Sequence, residues 1–142
     1  MGWSHLEGAI MKETTLCYIE KDDKYLMLHR TKKENDYNHD KWIGVGGKFE
    51  PGEDAVACLL REVKEETGLT LRKYDYRGIV YFESDVWQGE AMHLFTATEF
   101  EGELMPSAEV ERLVWLDYND LDKISPVDRL IFEDLHQKGL IN

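Results

Sequence analysis

Cysteine is nearly missing from this sequence. Cys17 and Cys58 are the only two, both in apolar-patterned segments, and no CxxC pair occurs. That argues against a disulfide framework, so a reducing cytoplasm is the expected setting. No apolar run approaches the ~20 residues of a membrane helix, and no segment has the order of a signal peptide, so no membrane partner is expected. Basic charge is also short. Seventeen Lys and Arg face 29 Asp and Glu, for a formal net charge of -12. A duplex nucleic-acid surface needs basic patches and is excluded as a partner on that count. An anionic ligand would need a cation to mediate its contact with such a chain.

What is present is the composition of a globular domain: 142 residues, 42% hydrophobic and 32% charged. A chain of this size buries roughly two thirds of its unfolded surface in one core. The first ten residues, MGWSHLEGAI, precede a second methionine and show no periodicity. They are read as a leader or native extension outside the fold, and residues 11–142 as a single domain. Two β-prone runs flank the turn-like Lys21-Asp22-Asp23-Lys24 and predict a hairpin. "WIGVGG" predicts a short strand ending in glycines. Asp54 to Thr67 has helical period, with Val56, Leu59, Leu60 and Val63 as its apolar stripe and Gly68 in the place of a terminating glycine. "LRKYDYRGIVYFES" and "EAMHLFTATEF" predict paired strands around a loop at Asp85 to Gly89, with His93 on a partly buried face, and "VERLVWLD" predicts another strand. Ser125 and Pro126 begin a second helix, with Val127, Leu130, Ile131 and Leu135 as its stripe. Strands interleaved with two helices predict a mixed sheet covered on both faces.

The stretch from Gly46 to Leu69 carries Glu50, Glu53, Glu62, Glu65 and Glu66. Like charges three or four apart on a helix cost a few tenths of a kcal/mol per pair. Glu62, Glu65 and Glu66 fall within about 100° of one another around the helix, on a face separate from the apolar stripe. Glu53 can fold back beside them, and Arg61 is placed to pair with Glu65 four residues on. Carboxylates gathered in this way suit a hard divalent cation such as Mg²⁺, which takes oxygen ligands and keeps several waters. The alternative is a solvated acidic face. "DYNDLD", from Asp117 to Asp122, has a faint likeness to a calcium loop but lacks the glycine and glutamate such a loop needs.

The spacing resembles that of the Nudix hydrolases, whose box reads G-x(5)-E-x(7)-R-E-U-x-E-E-x-G-U with U aliphatic. Gly47, Glu53, Arg61-Glu62-Val63, Glu65-Glu66 and Gly68-Leu69 match it with no departure. A chance match is expected on the order of once in a billion windows. The surrounding strand pattern extends the likeness from Lys12 to Leu140, and "WIGVGGKFEPGE" is similar to the MutT branch. The resemblance implies an α/β/α sandwich with a mixed β-sheet and two main helices. It also implies Mg²⁺-dependent hydrolysis of a nucleoside diphosphate linked to another group, with Mn²⁺ as a substitute cation. By position, Glu62 and Glu66 with the Gly46 carbonyl would hold the metal, Glu65 and Glu53 would complete the cluster, and Arg61 would orient Glu65. A later loop usually adds a carboxylate, for which Glu109 is the candidate and Glu111 its rival. Glu65 and Glu109 are the candidate bases. Lys48 and Arg30 match phosphate-facing positions, Arg30 with a surface charge as the competing reading.

Substrate choice lies outside the box. In the oxidised-guanine branch the residue after the strand tryptophan is polar, but here Trp42 is followed by Ile43. Asp128 matches another base-reading position, and its competing role is a helix cap formed with Ser125. The reading is a purine nucleoside triphosphate, 8-oxo-guanine among the candidates, cut to monophosphate and pyrophosphate. The alternatives are ADP-ribose, a dinucleoside polyphosphate or a nucleotide sugar as substrate, or a non-catalytic nucleotide sensor. Oligomeric state is left open.

Overall fold

The structure is a computed structural model that describes residues 11–29, 41–84, 87–105 and 112–141. Among these residues seven strands and two α-helices follow in the order β1 (Lys12–Lys21), β2 (Lys24–His29), β3 (Trp42–Ile43), β4 (Val45–Lys48), α1 (Ala55–Thr67), β5 (Thr70–Ser84), β6 (Trp87–Glu101), β7 (Arg112–Asp117) and α2 (Pro126–Gln137), with a 3₁₀ helix at Tyr118–Lys123 before α2. The leader, Arg30, His39, Glu109 and Glu111 lie outside the described residues.

The β1–β2 hairpin turns on Asp22 and Asp23, both left-handed at φ 54 and 63. Consecutive left-handed residues match the strands' right-handed twist, and aspartate tolerates them better than most side chains. Beyond the turn the two strands pair only at Glu20–Tyr25 and Lys21–Lys24 and then part. β1 runs parallel to β6, which pairs antiparallel with β5. β2 pairs antiparallel with β7 and β3, and β4 pairs antiparallel with β1. The sheet is thus mixed, as expected, and splits between β1 and β2 where the short β3–β4 segment enters. The single strand expected for "WIGVGG" is two, broken at Gly44. A side chain there would press on Tyr18, Leu16 and Asp128.

Alternation along β1 feeds two cores, because successive side chains take opposite faces. Leu16 and Tyr18 join Tyr25, Met27, Leu94, Phe132 and Leu135 on the α2 side. Cys17 and Ile19 join Leu26, Leu28, Leu59, Val63 and Phe95 on the α1 side. Both faces are covered, so β1 reads as a continuous apolar run. Phe132 anchors one core, with Tyr18 and Tyr25 set edge-on at 5.2 and 4.7 Å between ring centroids and Tyr118 stacked at 5.5 Å. His93 on β6 bridges Glu13, 2.9 Å from Nε2, and the Tyr76 hydroxyl, 3.1 Å from Nδ1.

Both helices start as expected, and the first also stops where expected. The Asp54 side chain accepts from the Ala57 N–H at the start of α1, and Gly68 ends the helix at φ 84. Ser125 caps α2, with proline following. Their buried stripes are rotated from the expected ones. Val56 and Leu60 are 38% and 37% exposed, while Cys58, Glu66 and Thr67 are buried beside Leu59 and Val63. Leu130 is 70% exposed, and Asp128 and Phe132 are buried in its stead. Periodicity treats a carboxylate as solvent-facing. Here Glu66 and Asp128 turn inward because each finds backbone donors. The Asp117–Asp122 segment is wound into the 3₁₀ helix, where Asp120 and Asp117 accept from the N–H groups of Asp117 and Asn119.

Candidate active site

The site grows from the end of β4 into α1. Gly46 packs so tightly on the Thr15 carbonyl that no side chain fits, and a methyl on Gly47 would fall inside the Glu62 carboxylate. The two glycines let α1 lie directly on the strand. Cys58 fills the seam, its thiol 3.5 Å from Thr15 Oγ1 and donating to the Gly47 carbonyl at 3.6 Å. Burial pushes this thiol up from its ordinary range.

Arg61 is the centre of the cluster. Its Nε donates to Glu53 Oε2 at 2.6 Å and one terminal nitrogen to Glu53 Oε1 at 2.9 Å, a bidentate pair. That same nitrogen donates to the Lys48 carbonyl at 2.9 Å. The other reaches Glu62 Oε2 at 2.8 Å and Glu65 Oε1 at 3.2 Å. The expected Arg61–Glu65 pair therefore exists, but it is the longest of these contacts. The bonds to Glu53 follow from the loop, which brings that side chain back and fixes it through the Glu50 N–H at 2.8 Å. The hydrogen bond from Arg61 is the main reason the Glu53 carboxyl is held down at about 2. Glu66 is 7% exposed and accepts from the Gly46 N–H at 3.1 Å. Glu65 is the outermost of the four, with its side chain 58% exposed against 15% for Glu53 and 14% for Glu62.

The structure thus gathers Gly46, Glu53, Arg61, Glu62, Glu65 and Glu66, with Lys48 exposed at the strand end. Among the described residues, no three acidic, histidine or cysteine side chains converge closely enough to enclose an ion. Arg61 stands where they would meet. The donor set itself, carboxylate oxygens on one helix face beside a glycine strand, fits a hard divalent cation. A cation held there would compete with Arg61 for the Glu62 and Glu65 carboxylates.

The remaining sequence candidates lie apart. Ile43 packs on the α1-side core, while Trp42 packs on the α2-side core. Asp128 is buried, and its Oδ1 accepts from the Tyr18 hydroxyl at 2.8 Å and the Gly44 N–H at 3.0 Å. Its Oδ2 accepts from Ser125 Oγ at 2.6 Å, and Ser125 Oγ in turn accepts from the Asp128 N–H. Burial raises this carboxyl above its ordinary value, opposed by those three donors. Tyr18 and Gly44 were not candidates. Tyr18 sits in an apolar run, where nothing marks its hydroxyl as a partner, and Gly44 lies inside what reads as a single strand, where nothing marks its amide. Arg30, Glu109 and Glu111 fall outside the described residues.

Comparison with known proteins agrees with this geometry. The NUDIX domain family matches residues 12–135. The chain is 30% identical over 135 residues to the uncharacterized Nudix hydrolase YvcI of Bacillus subtilis, covering 91% of this chain and 81% of that one. It is 35% identical over 105 residues to the oxidized purine nucleoside triphosphate hydrolase of Danio rerio, covering 72% of this chain and 64% of that one. Further relatives are NAD-capped RNA hydrolases, such as one from Vibrio atlanticus, of whose length the chain spans 38%. The solution structure of the E. coli ORF135 protein superposes with a TM-score of 0.73 at 27% identity, covering 89% of this chain and 91% of that one. With its box complete, its sheet and helices in the matching arrangement and its match spanning nearly the whole chain, the protein belongs to the Nudix family, a hydrolase acting on pyrophosphate bonds.

Proposed function

We propose that the protein hydrolyses a purine nucleoside triphosphate, with Mg²⁺, to the monophosphate and pyrophosphate, 8-oxo-guanine being a candidate base. The observation that carries the catalytic half is the Glu66–Gly46 bond beside the Arg61-centred carboxylates, which sets oxygen donors from helix and strand side by side. The purine half is supported by the likeness to the Danio rerio enzyme and by the apolar α2-side face, where Trp42, Val80 and Phe82 are only partly buried. The likeness to NAD-capped RNA hydrolases supports a second reading, a substrate whose pyrophosphate joins two nucleosides.

Glu62 and Glu66 with the Gly46 carbonyl would hold the cation. When bound, it supplies charge neutralisation at the phosphate oxygens and acidifies water. The chain's own residues do the rest. Arg61 keeps Glu53 and Glu62 in place by charge-assisted bonds. Glu65, exposed and only loosely held by Arg61, is the group free to swing and take a proton from the attacking water. Lys48 lies at the strand end, where an ammonium can meet a phosphate. Arg30 and Glu109 remain candidates for the phosphates and for a further carboxylate.

Turnover of nucleoside triphosphates in ¹⁸O-water tests the cleavage site: label is expected in the monophosphate. Label confined to pyrophosphate would place attack at the β-phosphorus and refute the pose. Glu66→Gln keeps the oxygen that accepts from Gly46 and removes a ligand charge. It is expected to lower turnover by at least ~100-fold with the fold intact. Near-normal turnover at saturating Mg²⁺ would refute the metal assignment.

A further inference from the structure

β4 and the glycine just before it are held by two helices at once. β4 pairs with β1 in the register Cys17–Val45, Leu16–Gly46 and Thr15–Gly47, and no other strand pairs with it among the described residues. Gly44 and Gly46 are two apart, and the Gly46 N–H points to Glu66 rather than into the ladder. Both amides end on a carboxylate: Gly44, at the break before β4, on Asp128 from α2 at 3.0 Å, and Gly46, inside β4, on Glu66 from α1 at 3.1 Å. Just upstream, the Ser125 N–H at the α2 cap donates to the Trp42 carbonyl at 2.9 Å, and Trp42 bridges to Ile124.

We propose that Asp128 is a positioning residue for the metal site, acting through the Gly44–Gly46 strand rather than by touching substrate. The inference rests on the assignment of Gly46 and Glu66 to the cation. A strand residue's N–H and C=O share an edge, so the Gly46 carbonyl leaves β4 on the side that Glu66 fixes, two residues after the amide that Asp128 holds. Asp128 is suited to this role because it is itself immobile. It is 5% exposed, with the Tyr18 and Ser125 hydroxyls and the Gly44 amide directed at its oxygens. Glycine at position 44 lets the carboxylate approach: a methyl there would sit 3.2 Å from Asp128 Oδ1 and 2.8 Å from the Tyr18 ring. Without Asp128 the Gly44 amide is left buried with no acceptor, and that peptide is driven to turn toward water. The strand then loses its anchor two residues before the metal-binding carbonyl. This makes α2 part of the phosphate end of the site, although α2 carries none of its ligands.

The test measures Mn²⁺ affinity by electron paramagnetic resonance without substrate, together with amide exchange at Gly46 by NMR. Asp128→Ala is expected to weaken Mn²⁺ binding about tenfold, in the range seen when the support of a ligand is removed, and to speed Gly46 exchange by a similar factor. Asp128→Asn retains an oxygen for Gly44 and Tyr18 and is expected to restore affinity to within about threefold of wild type. Leu135→Ala, a buried α2 residue outside the clamp, should lower stability and leave Mn²⁺ affinity unchanged, which separates positioning from general destabilisation. If Asp128→Ala does not fold, Gly44→Ala disturbs the same contact, and the same loss of affinity is expected. Mn²⁺ affinity within about twofold of wild type in Asp128→Ala, or in Gly44→Ala if only that folds, overturns the proposal. So does a change of tenfold or more in the purine-to-pyrimidine ratio of kcat/KM in Asp128→Asn with affinity intact, which would make Asp128 a reader of the base. Failure of the wild-type protein to bind Mn²⁺ would refute the metal assignment and not the clamp, which Gly46 exchange still decides.

Discussion

Gly47→Ala adds a single methyl group at the point where the acidic helix meets the strand. That methyl would lie 2.5 and 2.7 Å from the two carboxylate oxygens of Glu62, against an ordinary contact of 3.4 Å or more. The neighbour is the end of a flexible side chain, so the carboxylate moves by about 1 Å and the fold survives. Leaving its rotamer costs about 0.5–1.5 kcal/mol. Stretching the bond from Arg61, now 2.8 Å, adds a fraction of the ~1.5–3 kcal/mol of a charge-assisted hydrogen bond, reduced because the pair borders solvent. The sum, about 1–2 kcal/mol, corresponds to a loss of roughly 3–8 °C in Tm for a domain of this size. The larger effect falls on activity, because a 1 Å displacement of a positioned group costs on the order of 100-fold in rate. Gly139→Ala is the control. It adds the same methyl where nothing lies within 4 Å, at φ 73. It is expected to cost a similar amount of stability through left-handed strain, about 1–2 kcal/mol, with turnover unchanged. Calorimetry and steady-state kinetics on both variants decide the matter. If Gly47→Ala retains turnover within threefold of wild type, Glu62 is not held where the chemistry needs it.

The remaining predictions concern acid stability and the core. The Glu53 carboxyl is held at about 2, below its unfolded value near 4.3, so its pairing with Arg61 contributes stability above the unfolded pKa and loses it as pH falls toward 2. Melting curves of wild type and Glu53→Gln in EDTA should therefore converge between about pH 4.5 and 2, and a gap that stays constant over that range would count against the pairing. Phe132→Ala removes the ring around which Tyr18, Tyr25 and Tyr118 pack and is expected to cost about 3–5 kcal/mol in urea unfolding; a loss below 1 kcal/mol would mean that the core closes over the gap.

The parts of this protein legible in the sequence are those governed by local rules. Asp54 and Ser125 cap the two helices, Gly68 ends the first, and the Asp22-Asp23 turn closes the hairpin where expected. The helix faces were less legible for one shared reason. Val56 and Leu60 look like core and are more than a third exposed, whereas Glu66 and Asp128 look like surface and are buried. An inward carboxylate is stable only when donors await it, and those donors are the amides of Gly46 and Gly44, on a strand far away in the sequence. No helical periodicity contains that information. The glycines contain part of it, since residues without side chains at 44, 46 and 47 mark where other groups come close.

Like-charge repulsion among the glutamates of one helix requires an offset, and Arg61 provides part of it. A lysine at that position would present one compact ammonium, whereas the planar fork of Arg61 reaches Glu53 with two nitrogens and still spans to Glu62, Glu65 and the Lys48 carbonyl. The carboxylates are therefore ordered while their charge is only partly neutralised: Glu53, Glu62, Glu65 and Glu66 with Arg61 leave an excess of three negative charges. A bare polyphosphate approaching that excess, on a chain of net charge -12, is repelled. A polyphosphate carrying divalent cations is not. For the substrate proposed above, the excess charge around Arg61 would therefore favour the metal-laden polyphosphate over the bare one.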